Sequence, residues 1–187
     1  MGKQFSKLEA AHRDFIARQR IFFTATAAET GRINVSPRGT DAFRTLSDSA
    51  AVYLDRTGSG NESAAHLRRD GRMTIMFCAL EGPPMILRLY GRGRIIPRGQ
   101  AEYAALLADT FEGKEPTAAR QMVRLDFDLV QGSCGYGVPL FDYTGERSSL
   151  DNWAASKGEE GLAAYRREKN VTSIDGFVTG FAEDRLA

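Results

Sequence analysis

Apolar and polar residues alternate along most of the chain, which is the pattern of half-buried β-strands. Turn residues such as Glu29-Thr30-Gly31 separate several of these segments at hairpin length. The pattern predicts six strands, over residues 20–26, 32–36, 50–55, 72–78, 85–96 and 120–130. The regular alternation of strand and crossover helix that βαβ units need is missing. We therefore expect a mainly antiparallel β protein whose sheet closes or nearly closes into a small barrel.

Helical periodicity is confined to segments inserted between these strands and to the tail. The inserted helices are predicted over residues 5–18, 64–69 and 100–111. Before the second of them, Ser59 and Glu62 have the spacing of a capping box, and Asn61 is the rival N-cap. The sequence thus places the start of a helix directly after a strand and a small polar loop.

The tail differs in character from the rest of the chain. Residues 148–170 predict two short helices that are broken at Gly158. We expect one domain over residues 1–187, with the barrel over about 20–130 and a helical C-terminal extension over about 148–187.

Two predicted strands carry polar faces that need a partner. In the strand at 32–36, Ile33 and Val35 share one face. The opposite face carries Arg32, Asn34, Ser36 and Arg38. On the long strand at 85–96, one face carries Arg88, Tyr90, Arg92 and Arg94. Because three arginines on one face repel one another, an anionic or acidic partner is expected opposite them.

The loop that connects strand 50–55 to the following helix is the best candidate for ligand binding. Its backbone N–H groups at a helix start, together with hydroxyl and amide side chains, suit a phosphate. Those side chains belong to Thr57, Ser59, Asn61 and Ser63. Neither a Walker motif nor a complete GxGxxG is present, and Glu62 disfavours a phosphate. From the residues alone, a ligand loop and an ordinary capped helix start are equally compatible.

Cysteine and histidine are too few for several kinds of site. With two of each, a disulfide framework, a thiolate zinc site and a His-rich metal centre are excluded. Cys134 lies on a tight glycine-rich turn, as some nucleophiles do, but only His12 and His66 could act as its base. A structural cysteine is the favoured interpretation, and we interpret His12 and Trp153 as packed side chains.

Composition and charge narrow the class of partner. The chain has 187 residues, 42% hydrophobic and 26% charged, and a net charge of +1, which argues against nucleic-acid binding. No signal peptide or membrane-spanning run is evident, so we expect a cytoplasmic protein without a membrane partner. Of its 25 basic residues, 20 are arginine, whose fork suits phosphate, although a GC-rich genome would produce the same bias.

Three stretches together resemble the pyridoxamine 5′-phosphate oxidase-related family of FMN-binding split barrels. They read RIFFTATAAETGRINVSPRG, AVYLDRTGSGNESAAHLRRDGRMTIMFC and PPMILRLYGRGRII. The likeness covers roughly residues 20–130, and the later SCGYGVP segment is similar to an uncharacterised subgroup. The resemblance implies a six-stranded antiparallel split β-barrel, a homodimer with FMN at the subunit interface, and a small-molecule substrate.

The resemblance also implies which residues hold the flavin. Asn34, Ser36 and Arg38 would line it from the second strand, and Tyr53 and Leu54 would lie along the isoalloxazine ring. The phosphate would be held by Arg56, Thr57, Ser59, Asn61 and Ser63, and Arg88 would point from the long strand towards the same pocket.

One departure from the family pattern affects the phosphate site. The family oxidase has an Arg-Lys pair in this loop, where the present chain has Asn61-Glu62-Ser63. The positive charge would then have to come from Arg38, Arg56 or Arg88.

The resemblance favours an FMN-dependent oxidoreductase whose substrate and catalytic residues are unknown. The alternatives are a non-catalytic flavin-binding or sensing protein, a barrel that binds a deazaflavin or haem, and a barrel that binds nothing. The C-terminal Arg-x-His element of the family oxidase is absent, and no histidine follows His66. We therefore do not expect a true pyridoxamine 5′-phosphate oxidase.

Overall fold

An eight-stranded antiparallel sheet forms the centre of the computed structural model, which describes residues 2–181. The strands are β1 Lys3–Phe5, β2 Ile21–Thr26, β3 Asn34–Gly39, β4 Phe43–Thr45, β5 Ala50–Arg56, β6 Arg72–Cys78, β7 Ile86–Pro97 and β8 Ala119–Ser133. They lie in the order β3-β2-β6-β7-β8-β5-β4, and β1 pairs with β8. All six predicted strands are present, and the two additional strands, β1 and β4, are only three residues long.

Helices occupy the predicted insertions and the tail. They are α1 Ala10–Arg18, α2 Glu62–Arg69, α3 Ala101–Phe111 and α4 Ser149–Lys169, with a short 3-10 helix over Thr40–Ala42. The first helix begins later than predicted, because Phe5 pairs with Val130 in the sheet instead. Helix α4 is broken at Gly158, whose φ of 63° and ψ of 173° are not helical, as predicted.

The N-cap of α2 decides between the two predicted helix starts. Asn61 occupies the N-cap position, so the capping box that begins at Ser59 is wrong. The side chain of Asn61 does not cap the helix, because its Oδ1 accepts a hydrogen bond of 2.9 Å from Nε2 of Gln121.

A bulge between β7 and β8 lets the sheet curl. The register shifts between Tyr90 and Gly91, which leaves one extra residue in β8. A Cβ atom at position 91 would collide with the backbone at Asp126 and Phe127, so this close approach requires glycine.

Apolar side chains cover both faces of the sheet. The main cluster lies inside the curl and includes Phe22, Phe77 and Tyr53, all fully buried. A smaller cluster packs beneath α3 around Ile96 and Leu54. Strand β5 is therefore buried on both faces, and successive residues along it enter different clusters.

The predicted arginine face of β7 has partners within the same chain. Arg92 pairs with Asp70, and Arg94 pairs with Glu102 on α3. Arg88 donates a hydrogen bond of 3.3 Å to Oγ of Ser133. Acidic groups of this chain thus pair with Arg92 and Arg94, and a hydroxyl pairs with Arg88, so the arginine face is no argument for a second subunit.

Candidate functional site

A cavity of about 810 Å³ lies where β3, the loop between β5 and α2, and the segment 169–174 meet; we call it the site cavity. Five cationic side chains line it, those of Arg32, Arg38, Arg56, Arg120 and Lys169. One carboxylate, that of Glu62, shares this wall. These cations come from four separate parts of the chain, and each is also paired with a carboxylate outside the wall, Arg56 with Asp151 and Lys169 with Glu168 among them. The wall itself therefore carries more cations than carboxylates, which suits an anion.

More than half of the residues predicted to bind a ligand lie in this wall. They are Asn34, Ser36, Arg38, Arg56, Ser59 and Ser63. Nδ2 of Asn34 is 3.3 Å from the hydroxyl oxygens of both Ser36 and Ser63, so β3 and α2 are in direct contact here. The alternation of β3 therefore turns Asn34, Ser36 and Arg38 to the cavity, whereas Val35, on the other face of the strand, is 61% exposed.

The remaining predicted residues lie behind the cavity wall or away from it. Tyr53 is in the main core beneath the guanidinium of Arg38, whose Cζ is 4.7 Å from the ring centroid, and Leu54 faces the cluster under α3. Thr57 is buried, donates to the carbonyl of Ala118 at 2.9 Å and accepts from Nε of Arg166 at 2.7 Å. Two other residues also have partners elsewhere in the chain, Asn61 with Gln121 and Arg88 with Ser133.

The buried carboxylate of Asp55 lies behind the cavity wall and binds two of its arginines. Asp55 accepts hydrogen bonds from Arg38, from Nε of Arg120 at 2.8 Å, and from Nε2 of Gln121 at 2.8 Å. Burial alone would raise the pKa of Asp55, but the charges of Arg120 and Arg38 outweigh it and leave that pKa below its ordinary value. Asp55 is therefore ionised at neutral pH and fixes two guanidinium groups in the wall.

The loop over residues 57–61, between β5 and α2, is held in place by hydrogen bonds from side chains distant in sequence; we call it the ligand loop. The carbonyl of Gly58 accepts from Nδ2 of Asn170 at 3.1 Å, and that of Gly60 accepts from Nη1 of Arg120 at 2.9 Å. Nη1 of Arg120 also donates to Oδ1 of Asn170 at 2.7 Å. A trans peptide directs its N–H away from its carbonyl. The N–H groups of Ser59 and Asn61 therefore point away from the side chains that bind the carbonyls of Gly58 and Gly60.

The segment after α4 closes one side of the cavity. The backbone N–H of Ile174 lies 3.1 and 3.2 Å from the two carboxylate oxygens of Glu62. Asp175 accepts from the backbone N–H of Arg32 at 2.7 Å and pairs with its guanidinium, which together hold the pKa of Asp175 below its ordinary value. Glu62 is the carboxylate that disfavoured a phosphate in the sequence analysis. It therefore already accepts a hydrogen bond from a backbone N–H.

Sequence reasoning missed several residues of the wall. They are Arg120, Lys169, His66, Thr172, Ser173 and Ile174. Arg120 lies at the start of a strand with ordinary alternation, and 169–174 follow a helix, so no local pattern marks them. The sequence suggests His66 only as a base for Cys134, which is exposed and has no hydrogen bond to either histidine among the described residues.

A second cavity of about 970 Å³ lies beside the first and shares Arg56 with it. The end of α1, the turn between β6 and β7 and the extended segment 141–147 line it. Phe141 is held there by a hydrogen bond of 2.9 Å from its N–H to the carbonyl of Leu80. Tyr136, in the glycine-rich turn after Cys134, is 82% exposed and lines neither cavity.

Two kinds of feature are absent from the described part of the chain. Residues 2–181 hold no group of three or more His, Cys, Asp or Glu side chains placed to bind a metal ion. Within the same residues, none of the helices combines the length and the apolar character that crossing a membrane requires.

The curled antiparallel sheet, with a cationic cavity at its β3 edge, defines a split β-barrel protein. The chain belongs to the pyridoxamine 5′-phosphate oxidase family, whose profile matches residues 8–134. It is 38% identical over 182 residues to the pyridoxamine 5′-phosphate oxidase family protein ustO of Aspergillus flavus, covering 88% of this chain and 72% of that protein.

Solved structures share the fold at low sequence identity. HupZ from Group A Streptococcus superposes with a TM-score of 0.53 at 20% identity, over 65% of this chain and 91% of that one. A putative pyridoxamine 5′-phosphate oxidase from Lactobacillus delbrueckii gives a TM-score of 0.53 at 17% identity, over 67% of this chain and 94% of that one. These likenesses concern the fold alone.

Proposed function

We propose that this protein binds FMN in the site cavity and acts as an FMN-dependent oxidoreductase on a small-molecule substrate. One observation carries the proposal: cationic side chains from four parts of the chain converge on one cavity at the start of helix α2. A helix start and convergent arginines are the usual means of holding a phosphate. Membership of the pyridoxamine 5′-phosphate oxidase family supports a flavin as the phosphate-bearing group.

The donors of the wall fit a phosphorylated ligand. Nε of Arg38 and Nε2 of His66 are buried nitrogens that have no hydrogen-bond partner among the described residues. Buried polar groups of this kind are normally paired, and phosphate oxygens would accept from them. The volume of about 810 Å³ falls within the ordinary range for small-molecule sites.

The residues of this chain would bind and orient the cofactor. Arg38 and Arg56, with the hydroxyls of Ser59 and Ser63, would hold the phosphate at the start of α2. Bound FMN supplies the electron-transfer chemistry, and the protein sets access and orientation. FMN is preferred to FAD because the chain offers one phosphate cradle and no second nucleotide-binding motif.

The apolar rim of the cavity supports a homodimer. Ile33 and Ile174 line the cavity and are each 74% exposed, while the neighbouring Val35 and Val178 are 61% and 57% exposed. Clustered exposed apolar side chains mark interaction surfaces. A second copy of the chain would cover them and complete the flavin site at the interface. Light scattering at micromolar concentration should therefore report twice the chain mass of 20.6 kDa, and a mass of one chain would contradict the dimer.

The direct test is the absorbance spectrum of the freshly purified protein, followed by calorimetry with FMN, FAD and riboflavin. We expect a flavin spectrum and tightest binding of FMN. Tighter binding of FAD would contradict FMN as the cofactor. A haem or deazaflavin spectrum would identify a different cofactor. Anaerobic bleaching of bound flavin by NADH or NADPH would separate an oxidoreductase from a non-catalytic flavin carrier.

A further inference from the structure

His66 is a buried imidazole in the wall of the site cavity. It lies on α2 one turn after Ser63, and 1% of its surface is exposed. Its Nδ1 is 3.1 Å from Oγ1 of Thr26, whereas its Nε2 is buried and without a hydrogen-bond partner among the described residues. A buried polar atom on a cavity wall is costly unless a ligand satisfies it.

The hydroxyl of Thr26 can donate to Nδ1 of His66 or accept from it, and it has no other hydrogen-bond partner among the described residues. When the hydroxyl donates, the neutral imidazole carries its hydrogen on Nε2. In that tautomer His66 offers an N–H donor to whatever occupies the cavity.

The two carboxylates near His66 have donors of their own. Asp175, on the segment after α4, is engaged by Arg32, and Glu62, on the same helix as His66, accepts from the N–H of Ile174. The ring centroid of Phe177 is 6.5 Å from that of His66 and 4.4 Å from Cζ of Arg69. On strands β2 and β3, Thr26 contacts His66 and Asn34 contacts Ser63, and both of these side chains are neutral.

We propose that His66 is a phosphate-binding residue of the site cavity, with Nε2 as the atom that contacts a phosphate oxygen. For FMN as the phosphate bearer, the inference rests on the proposed function. A phosphate oxygen beside Nε2 would accept the hydrogen bond for which the described residues offer no acceptor.

Two variants of His66 test the contact. His66→Leu removes the ring nitrogens, and its dissociation constant for FMN should be tenfold or more above that of the natural protein. His66→Gln keeps an amide donor at this position and should lose less affinity than His66→Leu. His12→Gln is the matched control, because His12 accepts from the N–H of Glu9 and lies outside the site cavity.

Nuclear magnetic resonance of the natural protein tests the contact without any variant. The chain has two histidines, so ¹⁵N-labelled imidazoles give two sets of signals, and His12 serves as an internal reference. Inorganic phosphate and FMN should each shift the Nε2 signal of His66, riboflavin should shift it less, and His12 should not respond.

The outcomes separate this inference from the proposed function. If phosphate shifts His66 while calorimetry detects no FMN binding, the phosphate site stands and the FMN proposal fails. If FMN binds but the His66 signals do not move and His66→Leu binds FMN as tightly as the natural protein, the role of His66 is overturned and the FMN proposal stands. If neither ligand binds, both fail.

Discussion

Nε of Arg120 lies 2.8 Å from Oδ2 of Asp55, and 5% and 1% of these two side chains are exposed. Arg38 binds the other carboxylate oxygen of Asp55 from the opposite end of the sheet. Strand β3, which carries Arg38, is one edge of the sheet, and β5, which carries Asp55, is next to the last strand at the other edge. The Arg38–Asp55 pair therefore joins the two ends of the curled sheet through side chains where no backbone ladder does.

We predict that Asp55→Asn destabilises the protein strongly. The change leaves two buried guanidinium groups without a counter-charge, which typically costs about 3–5 kcal/mol in the free energy of unfolding. Urea denaturation followed by circular dichroism measures it. The matched control is Asp126→Asn, because the Arg124–Asp126 pair is exposed and should contribute no more than about 1 kcal/mol. Equal losses in the free energy of unfolding would show that Asp55 does not hold the two ends of the sheet together.

The stability of the folded protein should fall in acid partly through Asp55. Its folded pKa lies below its ordinary value, so between the folded and the unfolded pKa the unfolded chain binds more protons. The contribution of Asp55 is complete above the ordinary value of 3.8 and is lost as the pH drops through the lowered folded value. Unfolding free energies measured from pH 6 down to pH 2 should decline less steeply for Asp55→Asn than for the natural protein. An unchanged slope would contradict the prediction.

Asn170→Ala should loosen the ligand loop. It removes the donor to the carbonyl of Gly58 and the acceptor for Arg120, and leaving buried partners unsatisfied costs about 1–3 kcal/mol. We expect lower stability together with weaker FMN binding, measured by urea denaturation and calorimetry. Asn152→Ala on α4 is the control, since that exposed amide contacts only the hydroxyl of Ser148 among the described residues. If Asn170→Ala left FMN affinity unchanged, the binding conformation of the loop would not depend on the hydrogen bonds of Asn170.

Arg38→Ala should weaken FMN binding, whereas Arg88→Ala should not. Arg38 lines the site cavity, while Arg88 lies outside its wall and donates to Ser133. Loss of one charge-assisted hydrogen bond, about 1.5–3 kcal/mol, corresponds to a roughly 10- to 150-fold higher dissociation constant. Because Arg38 also pairs with Asp55, binding is measured at a temperature where the variant is folded, and Arg38→Lys provides a milder change. Weakening by Arg88→Ala alone would assign the phosphate to the other arginine.

The protein should not oxidise pyridoxamine 5′-phosphate efficiently. That substrate brings a second phosphate beside the flavin, and the family oxidase holds it partly through a C-terminal Arg-x-His element that this chain does not have. Each missing charge-assisted hydrogen bond costs about 1.5–3 kcal/mol, so productive binding should be orders of magnitude poorer. Measuring pyridoxal phosphate and peroxide formation by the FMN-loaded protein checks this. Turnover at ordinary enzymatic efficiency would contradict it.

Local patterns in the sequence were sufficient for the strands and for half of the cavity. The alternation in β3 placed Asn34, Ser36 and Arg38 on one face, and the composition of the loop made it a candidate ligand site, because both signals lie within a few residues. Residues of both segments line the site cavity. The break of α4 at Gly158 was predicted for the same reason. Short strands such as β1 depend on a distant partner strand, and three residues carry too little pattern to be found.

The rest of the site depends on contacts between distant parts of the chain. Arg120 and Asn170 are 60 and 112 positions from the loop carbonyls that they bind, and no period links them to it. The family resemblance placed Tyr53 and Leu54 along the isoalloxazine ring, but β5 is covered on both faces. The partners of the arginines on β7 were likewise invisible in sequence, since Glu102 belongs to a helix and Asp70 to a turn.

The hydrogen bond from Asn170 to the carbonyl of Gly58 also bears on when the site forms during protein synthesis. During synthesis at about 5–20 residues per second, the loop leaves the ribosome roughly 5–20 s before the residue that ties it down. The strands up to β8 can pair in that interval, but the site cavity still has no wall at 169–174. Under the proposed function, we expect the cofactor to load after residues 169–174 are synthesised, and a ribosome stalled before α4 should hold a barrel without this wall of the cavity.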